Sequence, residues 1–336
     1  MTKRERVEAA LAGRKVDRVP VSAWCHFFEK EITVDGYVQC MLDFQKYYDW
    51  DYMKIHPRYS YHVEDWGNEY TQSGKSGDWP SCKKYAVHEA EDWKKLRVLK
   101  PREGILGDFL KSVQTIKKGL KEDVPMIMTV FSPLMISNFL SGVSWEAKGA
   151  KKFYDNDRDS LAAGLKTIAE TFRLFVEELK KTGIDGLFYA TKEANDDFTS
   201  SAEYQKFIRP YDEIVLSAAQ GFSFNMLHLC GDKIHYKAMA DYPVQMLHWD
   251  PSTGNNPGYK TARKELGDRY AFGGGPCRAV MAKGSAAEVK SELKKVLVDT
   301  EEKHFLLGPA CSVLVAETPE EHMWLLRKAP EQYQDY

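Results

Sequence analysis

His228 and Cys230 stand two positions apart in the segment Met-Leu-His-Leu-Cys-Gly-Asp of residues 226–232. Because side chains at positions i and i+2 of a β-strand point to the same face, we expect these two to project together. A neutral imidazole and a thiolate are typical ligands of Zn²⁺. The spacing therefore indicates two ligands of a metal site, although so short a pattern also fits a core histidine and a small buried cysteine.

Two further cysteines could complete this site. Cys311 lies in Gly-Pro-Ala-Cys-Ser at residues 308–312, and Cys277 lies in Gly-Pro-Cys-Arg at residues 275–278. Each follows a short apolar segment that is typical of a buried strand. One histidine and two thiolates with a fourth position open are typical of catalytic zinc. We expect Zn²⁺ at His228, Cys230 and Cys311, and Cys277 stays open as an alternative third ligand.

Five other polar residues follow predicted strands and are candidates for substrate binding: His26, Glu29, His56, Tyr189 and Glu193. An exposed position or an ordinary hydrogen-bonded role explains each of them equally well. No catalytic residue is predicted beyond the metal site.

Eight apolar segments must position these residues. The predicted strands are residues 17–23, 51–55, 125–130, 186–189, 224–229, 245–249, 270–272 and 304–307. Most are followed by a predicted helix, and such alternation is typical of parallel strands. The sequence therefore predicts an α/β fold, a single (β/α)8 TIM barrel over residues 1–336. In such a barrel the candidate residues meet at the C-terminal ends of the strands.

The helices carry recognisable end signals. Thr2 and Glu5 form a capping box for an N-terminal helix that ends at Gly13, and Ser285 and Glu288 form a second one. Further helices are predicted near residues 105–121, 161–179, 201–220, 233–241 and 258–266, and from residue 318 onward.

An aromatic-rich insertion is predicted after the second strand, at about residues 60–100. It lacks a clear helical period, and we expect it to contain a hairpin. Its Trp66, Tyr70 and Trp79 could line an aromatic pocket or pack beneath a loop.

The composition excludes several classes of protein. The chain of 336 residues has 47 Lys and Arg against 49 Asp and Glu, so no basic field for nucleic acid is expected. No segment has the ~18 consecutive apolar residues of a membrane span. The N-terminus lacks the apolar region of a secretory signal, and six cysteines do not make a disulfide scaffold. We expect a cytoplasmic protein with a small-molecule substrate, and neither nucleic acid nor membrane as a partner.

Four segments make the sequence similar to a known family. They are RERVEAALAGRKVDRVPV near the start, FSPLMISNFL at 131–140, HLCG at 228–231 and GPACSVLVAETPEEH at 308–322. They resemble the uroporphyrinogen decarboxylase superfamily, and within it the zinc-dependent, corrinoid-linked methyltransferases typified by the methylcobamide:coenzyme M enzymes. The resemblance covers most of the chain, while residues 25–120 match only loosely.

This resemblance implies a TIM barrel and favours Cys311 over Cys277 as the third zinc ligand. It implies a methyltransferase that moves a methyl group between a small thiol, methoxy or methylthio compound and a corrinoid (cobalamin) carried by a separate partner protein. A decarboxylase of the same superfamily is one alternative. Its R-Q-A-G-R-Y type motif is replaced here by VSAWCHFFE at residues 21–29, without an arginine for substrate carboxylates. A non-catalytic relative that binds a ligand is the other alternative.

Overall fold

Nine strands occur in the computed structural model, which describes residues 1–142 and 149–332. They are β1 (Met53–Ile55), β2 (Glu69–Thr71), β3 (Ser81–Lys84), β4 (Met126–Phe131), β5 (Gly186–Thr191), β6 (Met226–Leu229), β7 (Met246–Trp249), β8 (Ala271–Gly274) and β9 (Phe305–Leu307). Strand β1 and the strands β4 to β9 pair in parallel, in chain order, as one sheet. The hairpin β2–β3 is antiparallel and lies within the aromatic-rich segment of residues 60–100.

Residues 19–22 close the sheet into a barrel. The Ser22 N–H donates to the carbonyl of Leu307 on β9 (3.1 Å), and the Leu307 N–H donates to the carbonyl of Pro20 (2.9 Å). On the other side, the Asp51 N–H donates to the carbonyl of Val21 (3.0 Å). This predicted strand forms a single parallel bridge with β9, because Pro20 has no N–H to give to a longer ladder. The predicted TIM-barrel fold is confirmed.

Side chains alternate along each strand between the inside of the barrel and its outer layer. On β6, Met226 packs in one cluster with inward residues of neighbouring strands, whereas Leu227 and Leu229 pack in the larger cluster that includes the helices. His228 shares the inward face with Met226 because it lies two positions further along the strand. The strand therefore directs His228 into the barrel.

Helices surround the barrel, and α1 packs Val7 and Ala10 against its inward cluster. They are α1 (Lys3–Leu11), α2 (Val34–Tyr48), α3 (Ala90–Lys95), α4 (Gly104–Gly119), α5 (Pro133–Ser141), α6 (Gly149–Asn156), α7 (Arg158–Lys180), α8 (Ser201–Glu203), α9 (Arg209–Ala218), α10 (Tyr259–Leu266), α11 (Arg278–Lys283), α12 (Ala286–Thr300) and α13 (Glu320–Gln332). No helix among the described residues combines the length and apolar character that a membrane crossing needs. Both predicted capping boxes are present, at Thr2–Glu5 and at Ser285–Glu288.

Two predicted helical regions differ from the structure, and helix α2 was not predicted. Residues 233–241 form turns instead of a helix, and the chain enters them through Gly231 and Lys233, which both have positive φ (99° and 51°). The helix expected over residues 201–220 is divided into α8, a π-helical turn at Tyr204–Ile208 and α9. Helix α2 was missed because its Gly36 and its many aromatic and β-branched residues have low helix propensity.

Candidate metal centre and cavity

Three predicted ligands converge at the C-terminal mouth of the barrel. His228 lies on β6, Cys230 follows directly after it, and Cys311 lies four residues beyond β9. Their ligand atoms all lie within 4.8 Å of one another. The Cys230 N–H donates to the carbonyl of Thr191 at the end of β5 (2.8 Å), which fixes the chain as it leaves the sheet.

Cys277 lies outside this cluster. It is the residue that precedes helix α11, and its N–H donates to the Glu292 carboxylate (3.2 Å). The next residue, Arg278, reaches the three candidate ligands instead. Its Nη2 atom donates to Cys311 Sγ (3.1 Å) and to Ser312 Oγ (2.7 Å), and its Nε atom donates to the Ser312 carbonyl (2.9 Å). The loop after β8 therefore contributes a guanidinium to the site.

The two thiols are hydrogen-bonded to each other. A hydrogen bond from Cys230 holds the pKa of the Cys311 thiol well below its usual value, and the positive charge of Arg278 adds to this effect. The same hydrogen bond, together with burial, raises the pKa of Cys230 well above its usual value. Cys311 is thus the more acidic of the two thiols, and a bound cation would favour loss of the proton from both. Two soft sulfur ligands and one imidazole are a donor set that fits zinc.

A second histidine, which the sequence analysis missed, supports the first. His228 Nδ1 lies 2.8 Å from His248 Nδ1, and His248 Nε2 lies 3.1 Å from the Pro309 carbonyl oxygen. His248 is completely buried. A signal was present in the sequence: Met-Leu-His occurs at residues 226–228 and again at 246–248, and the two strands pair in register at the histidines.

A cavity of about 620 Å³ opens onto the three candidate ligands. Most of its wall is apolar or aromatic: Trp24, Pro57, Tyr59, Trp79, Phe131, Met135, Phe139, Phe188 and Ala190. Its charged lining consists of Lys54, Arg58 and Arg278, and no Asp or Glu of the described residues lines it. Of the three aromatic residues singled out in the insertion, Trp79 lines the cavity, whereas Trp66 and Tyr70 lie outside its lining.

Lys54 is a further residue that the sequence analysis missed. It lies on β1 and is only 2% exposed, with its Nζ atom 4.1 Å from the centre of the Phe188 ring. It hydrogen bonds with His56 Nδ1. Burial lowers the pKa of Lys54 well below its usual value. A lysine inside an otherwise apolar strand, Tyr-Met-Lys-Ile, was the available signal.

The five weaker candidates divide into two groups. His26 and His56 line the cavity, and His26 Nδ1 lies 3.3 Å from the Glu31 carboxylate. Glu29, Tyr189 and Glu193 are absent from the lining. Glu29 is exposed in a turn.

Tyr189 and Glu193 have structural partners away from the cavity. Tyr189 points outward from β5, because its neighbour Phe188 points inward, and its hydroxyl donates to the buried Asp212 (2.6 Å). Glu193 accepts a hydrogen bond from Asn138 on α5 (2.7 Å). Burial raises the pKa of Glu193 to about 7.

Comparisons with known proteins agree with this architecture. The sequence model described as "Uroporphyrinogen decarboxylase (URO-D)" matches residues 2–333. The methylcobamide:CoM methyltransferase MtbA of Methanosarcina acetivorans is 21% identical over 267 residues, which cover 77% of this chain and 74% of that protein. The uroporphyrinogen decarboxylase of Syntrophotalea carbinolica is 24% identical over 220 residues, or 63% of this chain and 60% of that one.

Solved structures support the same fold. A methyltransferase from Methanosarcina mazei superimposes with a TM-score of 0.83 over 99% of both chains at 20% identity. A B12-independent methionine synthase from Shewanella sp. W3-18-1 gives a TM-score of 0.55 at 11% identity, over 94% of this chain and 95% of that one. At these identities the likeness concerns the fold.

Proposed function

The chain belongs to the uroporphyrinogen decarboxylase family, and we propose that it is a zinc-dependent methyltransferase. It would move a methyl group between a small thiol, methoxy or methylthio compound and a corrinoid carried by a separate protein. The observation that carries this proposal is the convergence of His228, Cys230 and Cys311 within 4.8 Å beside a largely apolar cavity.

The donor set suits sulfur or ether chemistry better than hydrolysis. Held by two thiolates and one neutral imidazole, zinc would be a mild Lewis acid that could bind a substrate thiolate or polarise a methoxy or methylthio group. Hydrolytic sites usually use histidine and carboxylate ligands, which leave the metal more positive.

Arg278 and three aromatic rings would form the surroundings of the bound zinc. Arg278 donates to Cys311 Sγ and so lowers the negative charge on that sulfur. The rings of Trp24, Phe131 and Phe188 line the cavity and limit the access of water. A methyl group is itself apolar, so this wall suits the group that is transferred.

A separate corrinoid protein is part of the proposal because one of the relatives is named for methylcobamide chemistry. The candidate ligands lie at the C-terminal ends of the strands, at the mouth of the barrel. A corrinoid protein that docks over this mouth would bring its cobalt toward the cavity.

The decarboxylase alternative has one observation in its favour, the cationic lining of Lys54, Arg58 and Arg278. Arg58, however, is paired with the Glu64 carboxylate (2.6 Å), and Arg278 is engaged by Cys311 and Ser312. Both guanidiniums already have protein partners, which disfavours the paired recognition of several substrate carboxylates. We therefore favour methyl transfer, and a non-catalytic ligand-binding role would follow only if that activity is missing.

The test is spectroscopic. Zinc-loaded protein is mixed with cob(I)alamin or a corrinoid protein and with methoxyaromatic compounds, methanol or methyl thioethers, and formation of methyl–Co(III) is recorded. The converse assay offers methylcobalamin with thiols and follows loss of the methyl–cobalt absorption. Activity in either direction that disappears in Cys311→Ala supports the proposal. If neither assay shows methyl transfer although zinc is bound, the ligand-binding alternative would be favoured.

A further inference from the structure

We infer that His248 is a positioning residue for the candidate metal centre: it keeps a proton on His228 Nδ1, so that His228 Nε2 faces the metal, and it ties β6 to the loop that carries Cys311. This inference rests on the metal site of the proposed function. It concerns a residue that belongs neither to the lining of the cavity nor to the three candidate ligands.

The carbonyl of Pro309 fixes the direction of the two hydrogen bonds that His248 makes. The Pro309 carbonyl can only accept, so His248 Nε2, at 3.1 Å, must carry a proton. His248 is fully buried and its hydrogen-bond partners are a carbonyl and an imidazole, so an imidazolium there would be costly.

A neutral His248 with its proton on Nε2 has a lone pair on Nδ1. That lone pair lies 2.8 Å from His228 Nδ1, and two facing lone pairs at this distance would repel. His228 Nδ1 must therefore be the protonated donor of this bond. The nitrogen left for a metal is Nε2.

The same chain of bonds joins two separate parts of the site. Pro309 lies two residues before Cys311, and β6 and β7 lie side by side with His228 and His248 in register. The Trp24 and Phe188 rings pack against His248, with centroids 5.4 Å and 6.0 Å away, and limit its movement. His248 thus links a ligand on β6 to the loop of a ligand after β9, a separation of more than 80 residues along the chain.

The direct test is the protonation of His228 in metal-free protein. Protein labelled with ¹⁵N at histidine is measured by long-range ¹H–¹⁵N correlation, and we expect a protonated Nδ1 at His228. An unprotonated His228 Nδ1 in the wild-type protein would overturn the inference. This readout needs neither bound metal nor activity, so its result stands apart from the proposed function.

The second test is zinc affinity, measured by competition with a chromophoric chelator. His248→Phe should weaken zinc binding by about 10- to 100-fold, as loss of a bond that orients a metal ligand usually does. His248→Gln should stay within a few-fold of wild type, because its amide can both accept from His228 and donate to Pro309. Cobalt-substituted protein should show an altered thiolate-to-metal absorption in His248→Phe alone.

His62→Phe is the matched control. His62 is also buried, it packs against Phe131 and Phe139, and neither of its ring nitrogens has a hydrogen-bond partner among the described residues. Zinc affinity should be unchanged in this variant. An equal loss of zinc affinity in His62→Phe and His248→Phe would show that the effect comes from packing alone. That result would contradict the inference. If His248→Phe fails to fold, the wild-type spectrum and the His248→Gln variant still decide the question.

Discussion

At the scale of single residues, Cys311 and Cys277 provide the sharpest test of the metal site. We expect Cys311→Ala to lower bound zinc from about one per chain to a small fraction, because two ligands hold the metal far more weakly than three. Zinc is counted by atomic emission on purified protein. Cys277→Ala is the control and should keep its zinc, since Cys277 lies outside the cluster. The reverse pattern would place the third ligand after β8.

Burial of the Lys54 amine beside the cavity should cost the protein stability. We expect Lys54→Met to raise the free energy of unfolding at pH 7 by about 1–3 kcal/mol, because a neutral side chain of similar size avoids burial of the amine. The exposed Lys111→Met is the control and should change it little. Unfolding by urea measures both variants.

The pH dependence of the Lys54 effect has a definite sign. The folded-state pKa of Lys54 lies below the ordinary value of 10.5, so the unfolded chain binds more protons between these two pKa values. The wild-type protein therefore gains stability as pH rises through that range, and the advantage of Lys54→Met shrinks toward pH 10. A loss of stability in Lys54→Met at pH 7 would show that the ammonium is stabilised in place.

Residues of the site differed in how far sequence could predict them. His228 and Cys230 were accessible because a strand places positions i and i+2 on one face. Cys311 required the family resemblance, since spacing alone left Cys277 open. Arg278 and His248 act through contacts between separate strands and loops, and such contacts depend on register and side-chain direction.

At the scale of elements, strands that are buried on both faces were the easiest to predict. Their short apolar runs between turn residues gave all seven strands of the parallel sheet within a few residues. Helix α7 was equally clear, because one apolar face recurs at helical spacing and is buried: Leu161, Leu165, Ile168, Phe172, Phe175 and Leu179. The turns at 233–241 were missed, because the positive φ of Lys233 is set by the surrounding fold.

Glu193 links the loop after β5 to helix α5, and this link should be sensitive to pH. The pKa of Glu193 is about 7 in the folded protein against 4.5 ordinarily. The unfolded chain therefore loses this proton first, and the folded state loses stability as pH rises from about 4.5 to 7. Glu193→Gln cannot ionise and its amide oxygen can still accept from Asn138, so this cost disappears.

We expect Glu193→Gln to match wild type near pH 4 and to be more stable above pH 7 by up to about 3 kcal/mol, since one pKa unit corresponds to about 1.4 kcal/mol. Thermal unfolding across this pH range measures the difference. Glu29→Gln, in an exposed turn, is the control and should follow wild type throughout. If the stability of Glu193→Gln and that of the wild-type protein change with pH in the same way, this account is contradicted.

At the scale of the whole molecule, the barrel creates a site that no single segment contains. The lining of the cavity comes from residues 24 to 312 of the chain, and the three candidate ligands come from two separate strand ends. Closure by residues 19–22 brings Trp24 against Phe188 and His248, beside the three candidate ligands. The family likewise constrains the fold more than the reaction, because one barrel can support different chemistry at its mouth.

The family name makes decarboxylation the reaction to exclude. We expect no conversion of uroporphyrinogen to coproporphyrinogen, because residues 21–29 lack arginine and the arginines of the cavity are already engaged. The assay separates porphyrins by chromatography after oxidation, with an authentic decarboxylase run beside the zinc-loaded and metal-free forms of this protein. Coproporphyrinogen formed at enzymatic rates, and equally without metal, would show that the cluster of His228, Cys230 and Cys311 is not the reacting centre. Absence of that product, together with methyl transfer that requires Cys311, would place the chain on the methyltransferase side of its family.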